Sequence, residues 1–268
     1  MQYDCASMKR SWTRFAHASR PAEHVVRLYG ERAELAASVA NYLAAGFGLS
    51  EPAVVVARPD HLDLFRERLA ACGWGPDELG RPGLLATCDA EETLASLLVG
   101  SKPSPERFEE VIGALIDERA AAFPRSRVRV YGEMVDVLCE RGEPEVAAEL
   151  EDLWNRALER RPFSLFCAYR VDVFDPDAQL SLLPQICAAH THVEPAGDVA
   201  RLGRAVAGAL EEELGAAAAG VYRQLPSAVG RTVVLPAPER ALMWVSANLP
   251  ARAERILASA RARYAAGD

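Results

Sequence analysis

The chain lacks the long apolar run that a membrane-spanning helix requires, because no stretch reaches roughly 18 apolar residues. The basic N-terminal stretch MQYDCASMKRSWTRF is not followed by the apolar segment of a signal peptide. Lysine occurs only at Lys9 and Lys102, and the formal net charge is −8, so no clustered basic surface for nucleic acid is expected. These absences predict a soluble cytoplasmic protein that binds neither a membrane nor nucleic acid directly.

Paired cysteines are also missing. Six cysteines are scattered over 268 residues without any CxxC pair. Half of the residues are apolar, so the chain can bury a sizeable core without cross-links. The cysteines are therefore predicted to be reduced and mostly buried.

The specific motifs of common enzyme classes are absent as well. After the first candidate strand the chain reads LYGERAELAAS (28–38), which has Gly30 but neither the second glycine nor the lysine of a phosphate-binding loop. GxGxxG, GxSxG and HExxH do not occur. We therefore predict a non-catalytic protein without a cofactor, and a degenerate nucleotide-binding ATPase is the enzymatic alternative.

Short apolar runs alternate with helical patterns along most of the chain. The runs are HVVRLY (24–29), AVVVAR (53–58), GLLATCD (83–89), RVRVY (127–131) and FSLFCAY (163–169). This alternation predicts an α/β fold with a mostly parallel central sheet of about five or more strands and helices on both faces. The layout resembles a RecA-like core without its phosphate-binding loop.

Three segments follow from the same pattern. Residues 1–22 show no clean period and are predicted to be a flexible leader, residues 23–195 form the α/β domain, and residues 196–268 form a small, mostly helical C-terminal module. That module also contains the candidate strand TVVL (232–235).

The stretch RVRVYGEMVDVL (127–138) joins a strand to the start of a helix. Arg129 and Tyr131 share one strand face, and an arginine on such a face needs solvent or a buried carboxylate. Glu133 starts the next helix, where the dipole favours a negative charge. Two interpretations stay open: Glu133 is a helix-start carboxylate paired with an arginine such as Arg129, or Glu133 and Tyr131 form a ligand site at the carboxyl edge of the sheet.

Two further stretches carry polar groups near predicted strand ends. In LEDLWN (150–155), Trp154 lies on the apolar stripe, whereas Glu151 and Asn155 form a polar stripe beside it, and Tyr169 ends the strand FSLFCAY. Trp154 and Tyr169 could line a ligand site, and the alternative is that each is an ordinary aromatic residue of the core or its rim. His24 and His61 begin a strand and a helix, where packing or capping is the simpler role.

The stretch ICAAHTHVEP (186–195) contains three residues that bind metals in other proteins. Cys187 and His190 share a helix face, and His192 follows the helix end. The second half of a recognised zinc spacing is missing, so no metal site is predicted.

The ordered set of HVVRLY, RVRVYGEMVDVL, LEDLWN, FSLFCAY and ICAAHTHV resembles the MEDS family over about residues 22–195. That family is a sensory domain named for methanogens, methylotrophs and the dichloromethane-responsive regulator. The resemblance implies a signalling input domain for small organic compounds, with a fold related to RecA and KaiC. The positions that it singles out are His24, Tyr29, His61, Arg129, Gly132, Glu133, Trp154, Asn155, Cys167, Tyr169 and His190.

We therefore expect a sensory protein that binds a small organic ligand or a protein partner at the carboxyl edge of the sheet and regulates a downstream protein. Arg129 and Glu133 would hold polar groups, and Tyr131 and Tyr169 would form aromatic walls. The predicted ligand-binding residues are Glu133, Arg129, Tyr131, His24, Tyr29, His61, Trp154, Asn155 and Tyr169. A pure interaction scaffold is the third alternative, and a homo-oligomer stays open.

Overall fold

The computed structural model describes residues 15–16, 23–225 and 235–267. Its centre is a sheet of six strands: β1 His24–Tyr29, β2 Ala53–Ala57, β3 Leu85–Asp89, β4 Val128–Gly132, β5 Phe163–Arg170 and β6 His192–Glu194. All of the strands are parallel, and they lie in the order β3-β2-β4-β5-β1-β6. The predicted α/β fold with a parallel sheet is confirmed. The strand β6 was not predicted, because three residues carry too little pattern.

Helices connect consecutive strands. They are α1 Arg32–Gly48, α2 Pro59–Ala71, α3 Pro76–Leu79, α4 Ala90–Leu97, α6 Met134–Glu140 and α7 Pro144–Arg160. Two further helices contain a π-helical turn: α5 comprises Pro105–Phe108, Glu109–Gly113 and Ala114–Ala122, and α8 comprises Ala178–Leu182 and Leu183–Ala189. A two-stranded antiparallel ribbon, Leu98–Val99 with Lys102–Pro103, precedes α5.

The helices cover both faces of the sheet, as predicted. On one face α1 and α2 pack over Val55, Tyr131 and Phe166. On the other face α4 to α8 pack over Val56 and Cys167. Because side chains alternate along a strand, burial of both faces explains why the central strands read as continuous apolar runs.

Arg129 is fully buried on the face covered by α1. Its Nε donates to Glu51 Oε2 at 2.6 Å, and its Nη1 donates to the carbonyl oxygens of Tyr42 and Ala16, each at 2.5 Å. The strand-face arginine therefore does pair with a buried carboxylate. The partner is Glu51, before β2, and not Glu133. The suggested pairing of Glu133 with Arg129 was wrong because the two side chains lie at opposite ends of β4.

The N-terminal segment contributes to the same region. Phe15 is buried and stacks on Tyr42 with ring centroids 5.2 Å apart, beside the buried Ala16. The rest of the predicted leader, residues 1–14 and 17–22, lies outside the described residues.

In the described residues after the sheet there are four α-helices, α9 Val199–Leu214, α10 Ala218–Gln224, α11 Ala237–Asn248 and α12 Pro250–Ala266, and a 3-10 helix, Gly215–Ala217, precedes α10. They share a core of their own, in which Leu202, Val206, Leu242, Val245 and Ile256 are buried. The mostly helical C-terminal part is thus confirmed. The candidate strand TVVL lies outside the described residues except for Leu235, which is not in a strand. Among the helices of the described chain, none combines the length and apolarity needed to cross a membrane.

A buried carboxylate makes the stability of this helical part depend on pH. Burial raises the pKa of Glu239, near the start of α11, to about 8 from an ordinary 4.5. The folded state then binds the proton more tightly than the unfolded chain, so stability is full below about pH 4.5 and falls as the pH rises toward 8. We expect Glu239→Gln to raise the free energy of unfolding by ~1–3 kcal/mol more at pH 8 than at pH 5. Urea denaturation at both pH values measures this difference, and an equal effect at both would contradict it.

Candidate functional site

Glu133 is fully buried at the carboxyl end of β4. Its Oε1 accepts the backbone N–H of Arg58, its Oε2 accepts the Tyr131 hydroxyl at 3.0 Å, and His61 Nδ1 lies 2.8 Å from Oε2. The chain leaves β2 toward β3 but leaves the adjacent β4 toward β5, so these residues occupy a topological switch point of the sheet.

Asp136 extends these contacts to two more strands. Its Oδ2 accepts the Tyr29 hydroxyl and Arg58 Nη1, both at 2.9 Å, and its Oδ1 accepts the backbone N–H of Arg170 at 2.7 Å. Arg58 Nη2 also donates to Glu140 at 2.9 Å. The two carboxylates and their partners thereby cross-link the carboxyl ends of β1, β2, β4 and β5. We refer to Tyr29, Arg58, His61, Tyr131, Glu133 and Asp136 as the carboxyl-edge network.

The tyrosines of this network act as neutral donors. Burial raises the pKa of Tyr131 well above its usual value, and the adjacent Glu133 raises it further. Burial likewise raises the pKa of Tyr29, together with the nearby Asp136. All four carboxylate oxygens of Glu133 and Asp136 have partners, so the side chains satisfy one another without a ligand.

A second polar group is buried under the opposite face of the sheet. It consists of His24 at the start of β1, Cys167 in β5, Glu151 in α7 and His190 at the end of α8. His24 Nε2 lies 3.2 Å from Cys167 Sγ and 3.4 Å from Glu151 Oε2, and His190 Nε2 lies 3.3 Å from Glu151 Oε1. We call these four residues the His–Cys–Glu cluster.

Neighbouring groups fix the orientation of the two imidazoles. Asn155 Nδ2 donates to the carbonyl of Ala189 at 3.0 Å, so its Oδ1, 2.9 Å from His24 Nδ1, is an acceptor. His190 Nδ1 lies 2.7 Å from the carbonyl oxygen of Ile186, which can only accept. Both Nδ1 atoms therefore carry a proton, and each Nε2 is directed toward the cluster. Burial lowers the pKa of His24 to about 4, which keeps that ring neutral at pH 7.

A cavity of about 250 Å³ adjoins this cluster between α7 and α8. Glu151, Asn155 and Tyr169 form its polar side, and the Tyr169 hydroxyl donates to Glu151 Oε1 at 2.6 Å. Its apolar walls include Pro144, Ala147, Leu182 and Ile186. The volume is somewhat below the roughly 300–1,000 Å³ of typical small-molecule sites, so it suits only a compact ligand.

Two other clefts are lined by none of the nine predicted ligand-binding residues. One of about 340 Å³ lies between Arg170, Phe174 and Tyr264, and an open groove of about 750 Å³ runs along α12 beside Leu180. In the described part of the chain, none of these three spaces is lined by Glu133, His61 or Tyr131.

The nine predicted ligand-binding residues fall into separate places. The carboxyl-edge network contains Glu133, Tyr131, His61 and Tyr29, whereas His24, Asn155 and Tyr169 surround the His–Cys–Glu cluster. The remaining two lie apart from both groups. Arg129 is at the amino end of β4, and Trp154 packs in the core with its ring centroid 5.0 Å from that of Phe108.

Five residues of these groups are not among the predicted ligand-binding residues: Arg58, Asp136, Glu151, Cys167 and His190, of which the resemblance singled out the last two. Arg58 ends a buried strand and Asp136 follows Glu133 by three positions, which are usable signals. Glu151 was noted only as part of a polar stripe. Of the three residues that the sequence offered for a metal, His190 belongs to the His–Cys–Glu cluster. Among the described residues, Cys187 and His192 are not part of the group that could hold an ion.

The match to a known family covers strands β1 to β5 and the helices around them. A family model described as the MEDS domain, "MEthanogen/methylotroph, DcmR Sensory domain", matches residues 23–191. The comparison with curated proteins found no match. The matched segment covers well over half of the chain and contains both polar groups. The chain therefore belongs to the MEDS family of sensory domains.

Proposed function

We propose that the chain senses a small organic compound by binding it in the cavity between α7 and α8, and that the bound state is passed to a protein partner. The observation that carries the proposal is that the cavity is lined by a buried carboxylate with an oxygen atom that is unpaired in the described part of the chain. Glu151 lines the cavity, and its Oε2 has no hydrogen-bond partner among the described residues. Unpaired buried polar atoms are uncommon and mark places where another group binds.

The lining defines the class of ligand. Glu151 offers a carboxylate, because the effect of burial on its pKa is outweighed by nearby His190 and the pKa lies below its usual value. Asn155 and Tyr169 add polar groups beside it, and alanine, leucine and isoleucine side chains form the remaining wall. A short carbon chain with one hydrogen-bond donor, such as an alcohol or an amine, fits these walls.

The carboxyl-edge network is suited to relay the occupied state. Cys139 lines the cavity and Asp136 lies one turn earlier on the same helix α6. Tyr169 also lines the cavity, and the next residue, Arg170, donates its backbone N–H to Asp136. In this proposal a ligand that shifts α6 alters the contacts of Asp136, so Glu133, Tyr131, His61 and Tyr29 transmit the change without touching the ligand. A cytoplasmic location and a downstream protein partner stay predictions.

The proposal predicts that blocking the cavity mouth abolishes ligand binding. Ala148 lines the cavity and is exposed, so Ala148→Phe fills space without disturbing the core. We expect one- to four-carbon primary alcohols and amines to shift NMR resonances around Asn155 and Tyr169 in the unaltered chain. In Ala148→Phe their affinity should fall at least ~10-fold, which corresponds to about 1.4 kcal/mol.

A matched control is Ala71→Phe at the exposed end of α2, away from the cavity, which should bind like the unaltered chain. Shifts that persist in Ala148→Phe, or that centre on Glu133, would contradict a site between α7 and α8.

The second candidate function is a protein-interaction scaffold that binds no small ligand. It is favoured by the carboxyl-edge network, because all four carboxylate oxygens there already have partners within the protein. If no probe of the series shifts any resonance, the scaffold becomes the better account.

A further inference from the structure

We propose that His24, Glu151, Cys167 and His190 bind a single divalent transition-metal ion of the zinc class. This proposal goes beyond the sensory role. It shares Glu151 with the ligand cavity, but its test uses the protein and the ion alone.

The spacing of the four ligand atoms fits such an ion. One ligand atom from each residue lies within 4.8 Å of all the others. Bonds of about 2.0–2.3 Å in a tetrahedral site place ligand atoms roughly 3.3–3.8 Å apart. His24 Nε2 lies 3.2 Å from Cys167 Sγ and 3.4 Å from Glu151 Oε2, near the short end of this range. The longer separations in the cluster, up to 4.8 Å, must contract by side-chain adjustment when the ion binds.

Both histidines are prepared as ligands. Each donates its Nδ1 proton, His24 to Asn155 and His190 to the carbonyl of Ile186, and each directs its Nε2 toward the cluster. A hydrogen bond from the second ring nitrogen is the usual outer-shell arrangement of metal-binding histidines. Tyr169 holds the Glu151 carboxylate in the same way.

Without a cation the cluster is poorly satisfied. The Nε2 of His190 lies 3.3 Å from Glu151 Oε1, so a cation, either a proton on the ring or a metal ion, is needed between the two atoms. Glu151 Oε2 and His190 Nε2 are both buried and have no hydrogen-bond partner among the described residues. The Cys167 thiol can donate to His24 Nε2, so that nitrogen has a partner, but this contact does not satisfy Glu151 Oε2 or His190 Nε2. A divalent ion coordinated by all four residues satisfies both of these atoms.

The charges also balance. On binding, the Cys167 thiol releases its proton to solvent, and the resulting thiolate and the Glu151 carboxylate together neutralise the two positive charges of the ion. A site with no net charge can be completely buried, whereas burying an unpaired ion costs a large desolvation free energy. Two imidazoles, a thiolate and a carboxylate suit zinc and its borderline-soft neighbours, whereas magnesium and calcium prefer oxygen ligands alone.

Metal titration of the full chain tests the proposal. After removal of metal with a chelator, we expect one equivalent of Zn²⁺ to bind with a Kd below ~1 µM in competition with a chromophoric chelator. Co²⁺ should give a thiolate-to-cobalt charge-transfer band and the visible absorption of a tetrahedral ion. Cys167→Ser should abolish the charge-transfer band. Asn155→Leu, which removes the partner of His24 on a half-buried residue, should weaken Zn²⁺ binding by ~10–100-fold.

The controls are Cys187→Ser and His192→Gln, which change nearby metal-capable residues outside the cluster and should leave the band and the affinity unchanged. Circular dichroism shows whether each variant is folded. A folded, unaltered chain that binds neither ion below ~100 µM overturns the proposal, as does a charge-transfer band that survives in Cys167→Ser. Ala148→Phe should still bind Zn²⁺, so failure of the metal site and failure of the ligand cavity are distinguishable.

Discussion

Gly46→Ala is expected to lower the free energy of unfolding by ~3–5 kcal/mol. A Cβ at this position of α1 would lie 2.3 Å from both Cδ and Nε of Arg129. The buried guanidinium is held by Glu51 and by the carbonyl oxygens of Tyr42 and Ala16, so it cannot move aside without losing a charged hydrogen bond. Urea denaturation followed by circular dichroism measures the loss.

Gly48→Ala, two residues further along the same helix, is the matched control. A Cβ there meets no atom within 4 Å and the backbone is not left-handed, so alanine should be neutral or stabilise by up to ~1 kcal/mol. Equal effects of the two substitutions would show that Arg129 does not occupy the space beside Gly46.

Glu133→Ala is expected to destabilise the protein by ~3–5 kcal/mol, because it removes the buried carboxylate at the centre of the carboxyl-edge network. The Tyr131 hydroxyl and the Arg58 N–H would lose their acceptor, and His61 would lose its partner. Leaving a buried donor unsatisfied costs about 1–3 kcal/mol per group. Glu133→Gln keeps an acceptor for Arg58 and should lose about half as much. Thermal and chemical denaturation both report the change.

The control for Glu133 is Glu140→Ala. Glu140 contacts the same Arg58, but its side chain is 49% exposed, and ion pairs at the surface contribute about 0–1 kcal/mol. A loss for Glu133→Ala as small as that for Glu140→Ala would mean that the network does not stabilise the fold. A folded Glu133→Gln variant also separates the proposed roles: it should keep ligand-induced shifts around Tyr169 while altering those around Asp136.

Under this proposal the two polar groups have different roles: the cavity beside the His–Cys–Glu cluster binds the ligand, and the carboxyl-edge network relays the bound state. The carboxyl-edge network joins four strand ends at the switch point, and the His–Cys–Glu cluster lies beneath α7 and α8 on the other face. Helix α6 and the end of β5 each contribute one residue to the cavity, Cys139 and Tyr169, and one to the contacts of the network, Asp136 and Arg170. A change at the cavity therefore has a direct physical route to the network.

The sequence by itself determined the elements and the fold class. Runs such as AVVVA (53–57) and FSLFCAY (163–169) are apolar on both faces because helices cover both sides of the sheet, and this pattern is local. Its motifs also indicated the family and named most of the residues that make up the carboxyl-edge network and the His–Cys–Glu cluster. The short strand His192–Glu194 was missed, because three residues do not establish a period.

Only the tertiary structure decided which polar groups meet. Arg129 pairs with Glu51, 78 residues away, although Glu133 is nearer in sequence, because the register of β4 against β2 brings the beginnings of these strands together. His24 reaches Asn155 and Cys167 across 131 and 143 residues, because the order β3-β2-β4-β5-β1-β6 makes β1 the neighbour of β5. Strand order depends on how the crossover helices pack on the finished sheet, and the periodicity of a single segment does not encode it.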